Sequence, residues 1–196
     1  QRTRRVARTD AAVNTVLKAT AMMKRIPFIL LFWLAACQKP PEFVLQGYFF
    51  VGAADEAAAQ RENPVLVATA ASVIESIIAE DREKLLSFVN TKEGAIIDAK
   101  AFVSYEQVRS VLYDKSAILS RVLWDDKYWK ETAPGDNVRS YRTVFSRAGE
   151  IKLGLFWYSP TECEVRIDFK GRPSMGLMGN LIFRKRGDRW YLMNFF

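Results

Sequence analysis

Between Lys24 and Cys37 the chain places two cations, Lys24-Arg25, ahead of an unbroken apolar run of 11 residues, Ile26 to Ala36, that ends in small side chains and then a cysteine. A helix that spans a bilayer needs about 20 apolar residues, so the run is too short for a permanent transmembrane segment. It is not an amphipathic face either. Lys24-Arg25 on one side and Pro40-Pro41 on the other isolate it as a single greasy plug. A cationic start, a short apolar middle and small residues at the end are the three parts of a secretory signal. Whatever folds in this protein is therefore built from the residues beyond Cys37.

Leu34-Ala35-Ala36-Cys37 resembles a bacterial lipobox. That resemblance implies a diacylglycerol on the Cys37 sulfur, cleavage between Ala36 and Cys37, and a membrane partner reached through the lipid. Gln38 is not the aspartate that holds similar proteins at the inner membrane. The implied destination is the cell envelope, at the outer membrane where the cell has one. A start at Met23 gives a compact signal over 23–36. Residues 1–22 then read as an upstream extension or a basic n-region and are set apart from the fold. Residues 1–36 hold seven Lys/Arg and one acid, so six of the net +7 charges lie there. The remaining chain is nearly neutral. Without a basic stripe to neutralise phosphates, nucleic acid is not an expected partner.

Cys37 to Phe196 is 160 residues, enough for one ordinary domain. Cys163 is the only other cysteine, so with Cys37 lipidated a disulfide scaffold is excluded. Cys163 alternates with Val165, Ile167 and Phe169, which reads as an inert core thiol. Residues 37–63 read as the lipidated cysteine and a tether, mobile from Gly52 to Gln60. Phe43-Val44-Leu45 and Tyr48 to Val51 are too apolar for a pure linker, and are expected to form an edge strand or to lie on the membrane surface. A single domain is expected over 64–196, opening at Asn63 as N-cap and Pro64 as first helical residue.

Leu66, Ala70, Val73, Ile74, Ile77 and Ile78 keep helical spacing. Glu80-Asp81 breaks the stripe, with Asp81 capping a second piece that carries Leu85, Leu86 and Val89. Ser104 with Gln107 reads as a capping box opening a helix with Val108, Val111 and Leu112. A short helix is expected over Ser116 to Trp124. From Arg139 the period is two: Tyr141, Thr143, Phe145; then Ile151, Leu153, Leu155, Trp157; then the Cys163 strand; then Leu177, Gly179, Leu181, Phe183; then Trp190, Leu192, Asn194, Phe196. Turns fall at Ala148-Gly149, Ser159-Pro160, Gly171 to Gly176 and Arg186-Gly187-Asp188. Helices followed by an antiparallel meander predict an α+β domain.

The opening helix, the acidic break Glu80-Asp81 with a leucine pair beyond it, and a closing hairpin from Ile182-Phe183-Arg184-Lys185 to Trp190-Tyr191-Leu192 resemble the NTF2-like fold. The resemblance implies N-terminal helices packed on a curved antiparallel sheet around a conical pocket. A small β-barrel with preceding helices is the alternative.

The chain has no histidine, which removes Ser-His-Asp and Cys-His catalysis and imidazole metal sites together. No phosphate-binding glycine loop occurs. Because NTF2-like enzymes use a pocket Asp or Tyr, Asp168, Tyr141 and Tyr158 become candidates, although Asp168 falls on the charged parity of its strand. Asp125-Asp126 lack the further oxygen ligands a hard cation needs, and read as helix-capping or loop residues. Trp124, Tyr128 and Trp129 read as core before they read as a stacking platform for sugars or peptides. Arg186-Gly187-Asp188 matches the cell-adhesion tripeptide, but a hairpin tip needs Gly and Asp for steric reasons alone. The expectation is a lipid-anchored binding or interaction module for a small apolar ligand or a protein, with no catalytic residue, cofactor or metal. A metal-independent NTF2-like pocket enzyme is the alternative.

Overall fold

A computed structural model describes residues 39–50, 56–97, 101–132, 139–169 and 180–195. The signal at 23–36, the cleavage point Ala36/Cys37, the turn at Gly171 to Gly176, Leu177, Gly179 and Phe196 lie outside the described residues. Pro40 to Phe196 forms one compact unit.

In chain order, its elements are β1 (Glu42–Phe50), α1 (Glu56–Ala79), α2 (Arg82–Ser87), β2 (Ala95–Ile96), β3 (Phe102–Val103), α3 (Tyr105–Tyr113), α4 (Ile118–Trp124), α5 (Asp126–Thr132), α6 (Tyr141–Ser146), β4 (Glu150–Ser159), β5 (Glu162–Asp168), β6 (Leu181–Arg186) and β7 (Arg189–Asn194). The strands form one seven-stranded sheet in the order β1-β4-β5-β6-β7-β2-β3. The α+β class is as expected. The sheet is open, with β1 and β3 at its ends, so the barrel alternative is wrong. It is also not purely antiparallel. β4 to β7 form the expected meander, but β1 runs parallel to β4 and β2 parallel to β7.

One sheet face carries the core. Ile151, Leu153, Leu155 and Trp157 of β4, Cys163 and Val165 of β5, Leu181 and Phe183 of β6, and Leu192 of β7 are fully buried. They join one cluster with Leu66, Val73, Ile74 and Ile77 of α1, Leu85 and Leu86 of α2, Val108 and Leu112 of α3, Leu123 of α4 and Phe145 of α6. By length and composition α1 could cross a membrane; its buried stripe instead makes it the central core helix of this unit.

α1 begins seven residues before the expected cap, at Glu56. The Ala57-Ala58-Ala59 run, small enough to suggest a mobile tether, is a strong helix former. Asn63 does not cap. It is buried inside the helix, where its Oδ1 accepts a hydrogen bond from Trp157 Nε1 at 3.1 Å. Pro64 stands inside the helix on its exposed side, where it removes the hydrogen bond to the Gln60 carbonyl.

The helix stops in a Schellman motif. Asp81 N–H donates to Ser76 O (2.9 Å) and Glu80 N–H to Ile77 O (3.2 Å), with Glu80 at φ +54° in the left-handed position usually left to glycine. Two guanidinium groups hold the Glu80 carboxylate, Arg82 at 2.6 Å and Arg142 at 2.7 Å, offsetting the backbone strain. Asp81 then caps α2 through Lys84 N–H, and Ser104 and Gln107 form the expected capping box at α3.

The segment Tyr141, Thr143, Phe145 is a helix and not a strand. Tyr141 and Phe145 are four apart, so an i, i+2, i+4 pattern fits both periods, and Ser140 decides it by capping Thr143 N–H. At the C-terminus Trp190 and Leu192 point inward as expected, and among the described residues beyond them Phe195 is also buried, out of alternation because β7 ends at Asn194.

Gly94, at φ +72°, lies in the turn that enters β2 and packs against the end of β3. A Cβ there would sit 1.8 Å from the Val103 carbonyl oxygen. Gly187, at φ +60°, forms the β6–β7 tip with open space around it. Gly187→Ala should cost only the left-handed strain, about 1 to 2 kcal/mol. Gly94→Ala adds a backbone collision and should be the larger loss, with faster hydrogen exchange at Phe102 and Val103; thermal melts of the two variants compare them directly.

Candidate functional site

The candidates read from sequence are dispersed, and most are engaged in holding the fold. Asp125 accepts from Lys127 N–H (2.8 Å) and Tyr128 N–H (3.2 Å), capping α5. Asp126 accepts from Ser140 N–H (2.8 Å), Ser140 Oγ (2.7 Å) and Thr143 Oγ1 (2.9 Å), which staples the start of α5 to the start of α6. No cluster of three or more acidic or cysteine side chains suited to a metal occurs among the described residues.

Burial pushes the Asp126 carboxyl up, but the hydrogen bonds from Ser140 and Thr143 outweigh it and hold the group below the usual aspartate range. A depressed folded pKa contributes stability that is complete above the unfolded value of about 3.9 and is lost as pH falls through the folded one. The domain should therefore lose stability on acidification below about pH 4, and Asp126→Asn should flatten that slope. Urea midpoints between pH 7 and pH 3 measure both.

Trp124 and Trp129 are buried, donating from Nε1 to Ile77 O (2.9 Å) and Val122 O (3.0 Å). Tyr128 carries Arg121 over its ring at 4.2 Å. Trp124 and Trp129 are core and Tyr128 packs against it beneath Arg121, so the three do not form a stacking platform. Tyr141 is buried within an aromatic group with Trp129, Phe145 and, beyond it, Phe169. Asp168 is exposed opposite Lys152, on the solvent parity expected of it. Cys163 is fully buried, and desolvation drives its thiol far above the ordinary range; it is inert.

At the hairpin tip Arg186 is not free for a partner. Glu93 holds its guanidinium at 2.5 Å and 3.1 Å, and Arg184 bridges to Glu162 at 2.9 Å beside it.

The residue that alternation misplaces is Glu164. It sits on the outer sheet face by parity, yet it is 8% exposed. Tyr158 hydroxyl and Asn180 amide donate to its carboxylate, and Arg166 Nε does so at 2.9 Å. Burial pushes this carboxyl up, while Tyr158 and Arg166 pull it below the usual range by a larger margin. The same bond raises the Tyr158 phenol. Arg166 also lies 3.5 Å above the Phe156 ring, whose other neighbour is Phe49 of β1, stacked at 4.7 Å. The only sequence signal for this group is the spacing of Tyr158, Glu164 and Arg166 across a predicted hairpin. Chemically it is a charge-satisfied clamp across β4, β5 and the entry to β6: an ionised acid with its donors already in place.

An open, shallow groove runs along the exposed side of α1, lined by Pro64, Val65, Ala68, Thr69, Ser72 and Phe88. Thr69 Oγ1 is spent on Val65 O at 2.8 Å, so the groove is chiefly apolar. No family model, curated protein or solved structure matches this chain.

Proposed function

We propose that this is a lipid-anchored protein of the bacterial cell envelope whose domain is a non-enzymatic binding or interaction module of NTF2-like architecture. The observation that carries the anchor is the stretch Lys24 to Cys37: cations, an 11-residue apolar run, then Leu34-Ala35-Ala36-Cys37. Diacylation at Cys37 attaches the protein firmly, since each buried methylene contributes about 0.8 kcal/mol and two long chains far exceed a marginal single one. The NTF2-like reading is supported by the opening helix and the acidic break at Glu80-Asp81 with Leu85-Leu86 beyond it, whose buried side chains share one core with the sheet, and by the closing β6–β7 hairpin within that sheet. The binding-module reading is supported by the use to which the candidate acids and tyrosines are put. Asp125 and Asp126 join helices, and Tyr158 and Glu164 satisfy each other on the outer sheet face. That last pair is also the best foothold for a pocket enzyme, but it faces away from the apolar layer.

Detergent phase partitioning of the wild type and of Cys37→Ala tests the anchor. The wild type is expected in the detergent phase with labelled fatty acid, and the variant without label in the aqueous phase. Equal partitioning of the two, with no label on either, would sink the lipoprotein reading.

A further inference from the structure

We propose that β1 lies flat against the lipid surface, so that the domain is held to the membrane along the β1 edge of its sheet as well as by its lipid. This rests on the lipid-anchor reading of Cys37. Two observations carry it. The first is reach. The compact unit begins at Pro40, three residues after Cys37, and an extended chain covers at most about 3.6 Å per residue, so the start of the domain lies within about 11 Å of the Cys37 backbone. Pro41 is buried and Glu42 N–H donates to Gly149 O at 2.8 Å, so the chain is part of the domain from there on. No slack tether separates fold from bilayer.

The second observation is the chemistry of the edge. β1 ends the sheet. It exposes Leu45 (40%), Tyr48 (42%) and Phe49 (57%). Pairing places Leu45 and Tyr48 on the core side of the sheet and Phe49 on the outer side, so the apolar surface straddles the free edge along its length. A long apolar edge strand left in water invites aggregation, which proteins prevent by covering it. Headgroup depth suits this edge. Aromatic rings are favoured there, and water and headgroup oxygens satisfy the unpaired backbone groups that hydrocarbon could not.

The test places a reporter at the end of β1 remote from the anchor. Phe49→Cys and, in case that variant folds poorly, Tyr48→Cys are labelled with pyrene in the full lipidated protein; Cys37 is occupied and Cys163 is buried. Phe102→Cys on β3, at the opposite end of the sheet, is the control. The proteins are inserted into phosphatidylcholine vesicles that carry a nitroxide at headgroup depth, and mass spectrometry confirms the lipid on Cys37.

Quenching at 49 or 48 should exceed that at 102 at least about threefold, since six strand spacings of about 4.8 Å separate the two ends of the sheet. Equal, weak quenching on a protein with confirmed lipid overturns the docking and leaves the anchor standing. Pyrene excimer emission without quenching places a second copy on the edge and also overturns it. A chain with no lipid on Cys37 removes the anchor, and the docking falls with it.

Discussion

Deleting Arg189 to Phe196 is expected to abolish cooperative melting of the domain. The deletion takes away Trp190, Leu192 and Phe195, all buried. At about 1.5 to 3 kcal/mol for each large side chain, the loss is about 4.5 to 9 kcal/mol. Ordinary domains have about 5 to 15 kcal/mol in total. Four tertiary hydrogen bonds go with it: Arg189 Nη2 to Ser87 O (2.6 Å), Trp190 Nε1 to Glu62 (3.0 Å), Leu192 N–H to Phe88 O (2.8 Å) and Phe195 N–H to Ile96 O (3.1 Å). Glu62 would keep only Lys185, at 2.6 Å. Circular dichroism melts and limited proteolysis measure the outcome. A truncated domain that melts cooperatively at the wild-type temperature would make β7 peripheral, and would remove the closing hairpin as support for the NTF2-like reading.

Trp157→Ala should be the most damaging single substitution in the sheet. Trp157 is fully buried, lies edge-on to Trp190 at 5.5 Å, and supplies the hydrogen bond to Asn63 inside α1. Large aromatic to alanine changes in cores cost about 3 to 5 kcal/mol. Trp157→Phe separates the two contributions. It keeps most of the ring but leaves the Asn63 carbonyl buried without its donor, which costs about 1 to 3 kcal/mol. Urea denaturation should thus rank wild type above Trp157→Phe above Trp157→Ala. If Trp157→Phe matches the wild type, the Asn63 bond contributes nothing and α1 is positioned by packing alone.

These two residues show where local pattern reading holds and where it stops. Trp157 is legible because Ile151, Leu153, Leu155 and Trp157 alternate without interruption, and one buried sheet face demands that alternation. Asn63 reads as a cap because Asn before Pro is a strong local signal; a tryptophan 94 residues away claims its side chain instead. Glu164 misleads for the same kind of reason. Its parity is solvent-facing, and Tyr158 from β4 and Asn180 from the entry to β6 close over it. Caps whose partners lie within three residues, Asp81 and Ser104, are readable. The parallel pairing of β1 with β4 is not, since more than a hundred residues separate Phe43 from Ile151 and nothing local records their register.

Anchor and edge docking both depend on the fate of Cys37, and intact-mass spectrometry of the protein recovered from a bacterial membrane fraction addresses it in one step. The expected species begins at Cys37 and carries the added mass of a diacylglycerol, with or without a further acyl chain on the amine. A membrane-associated species that retains residues 23–36, or one that begins elsewhere and carries no lipid, would contradict the lipid anchor.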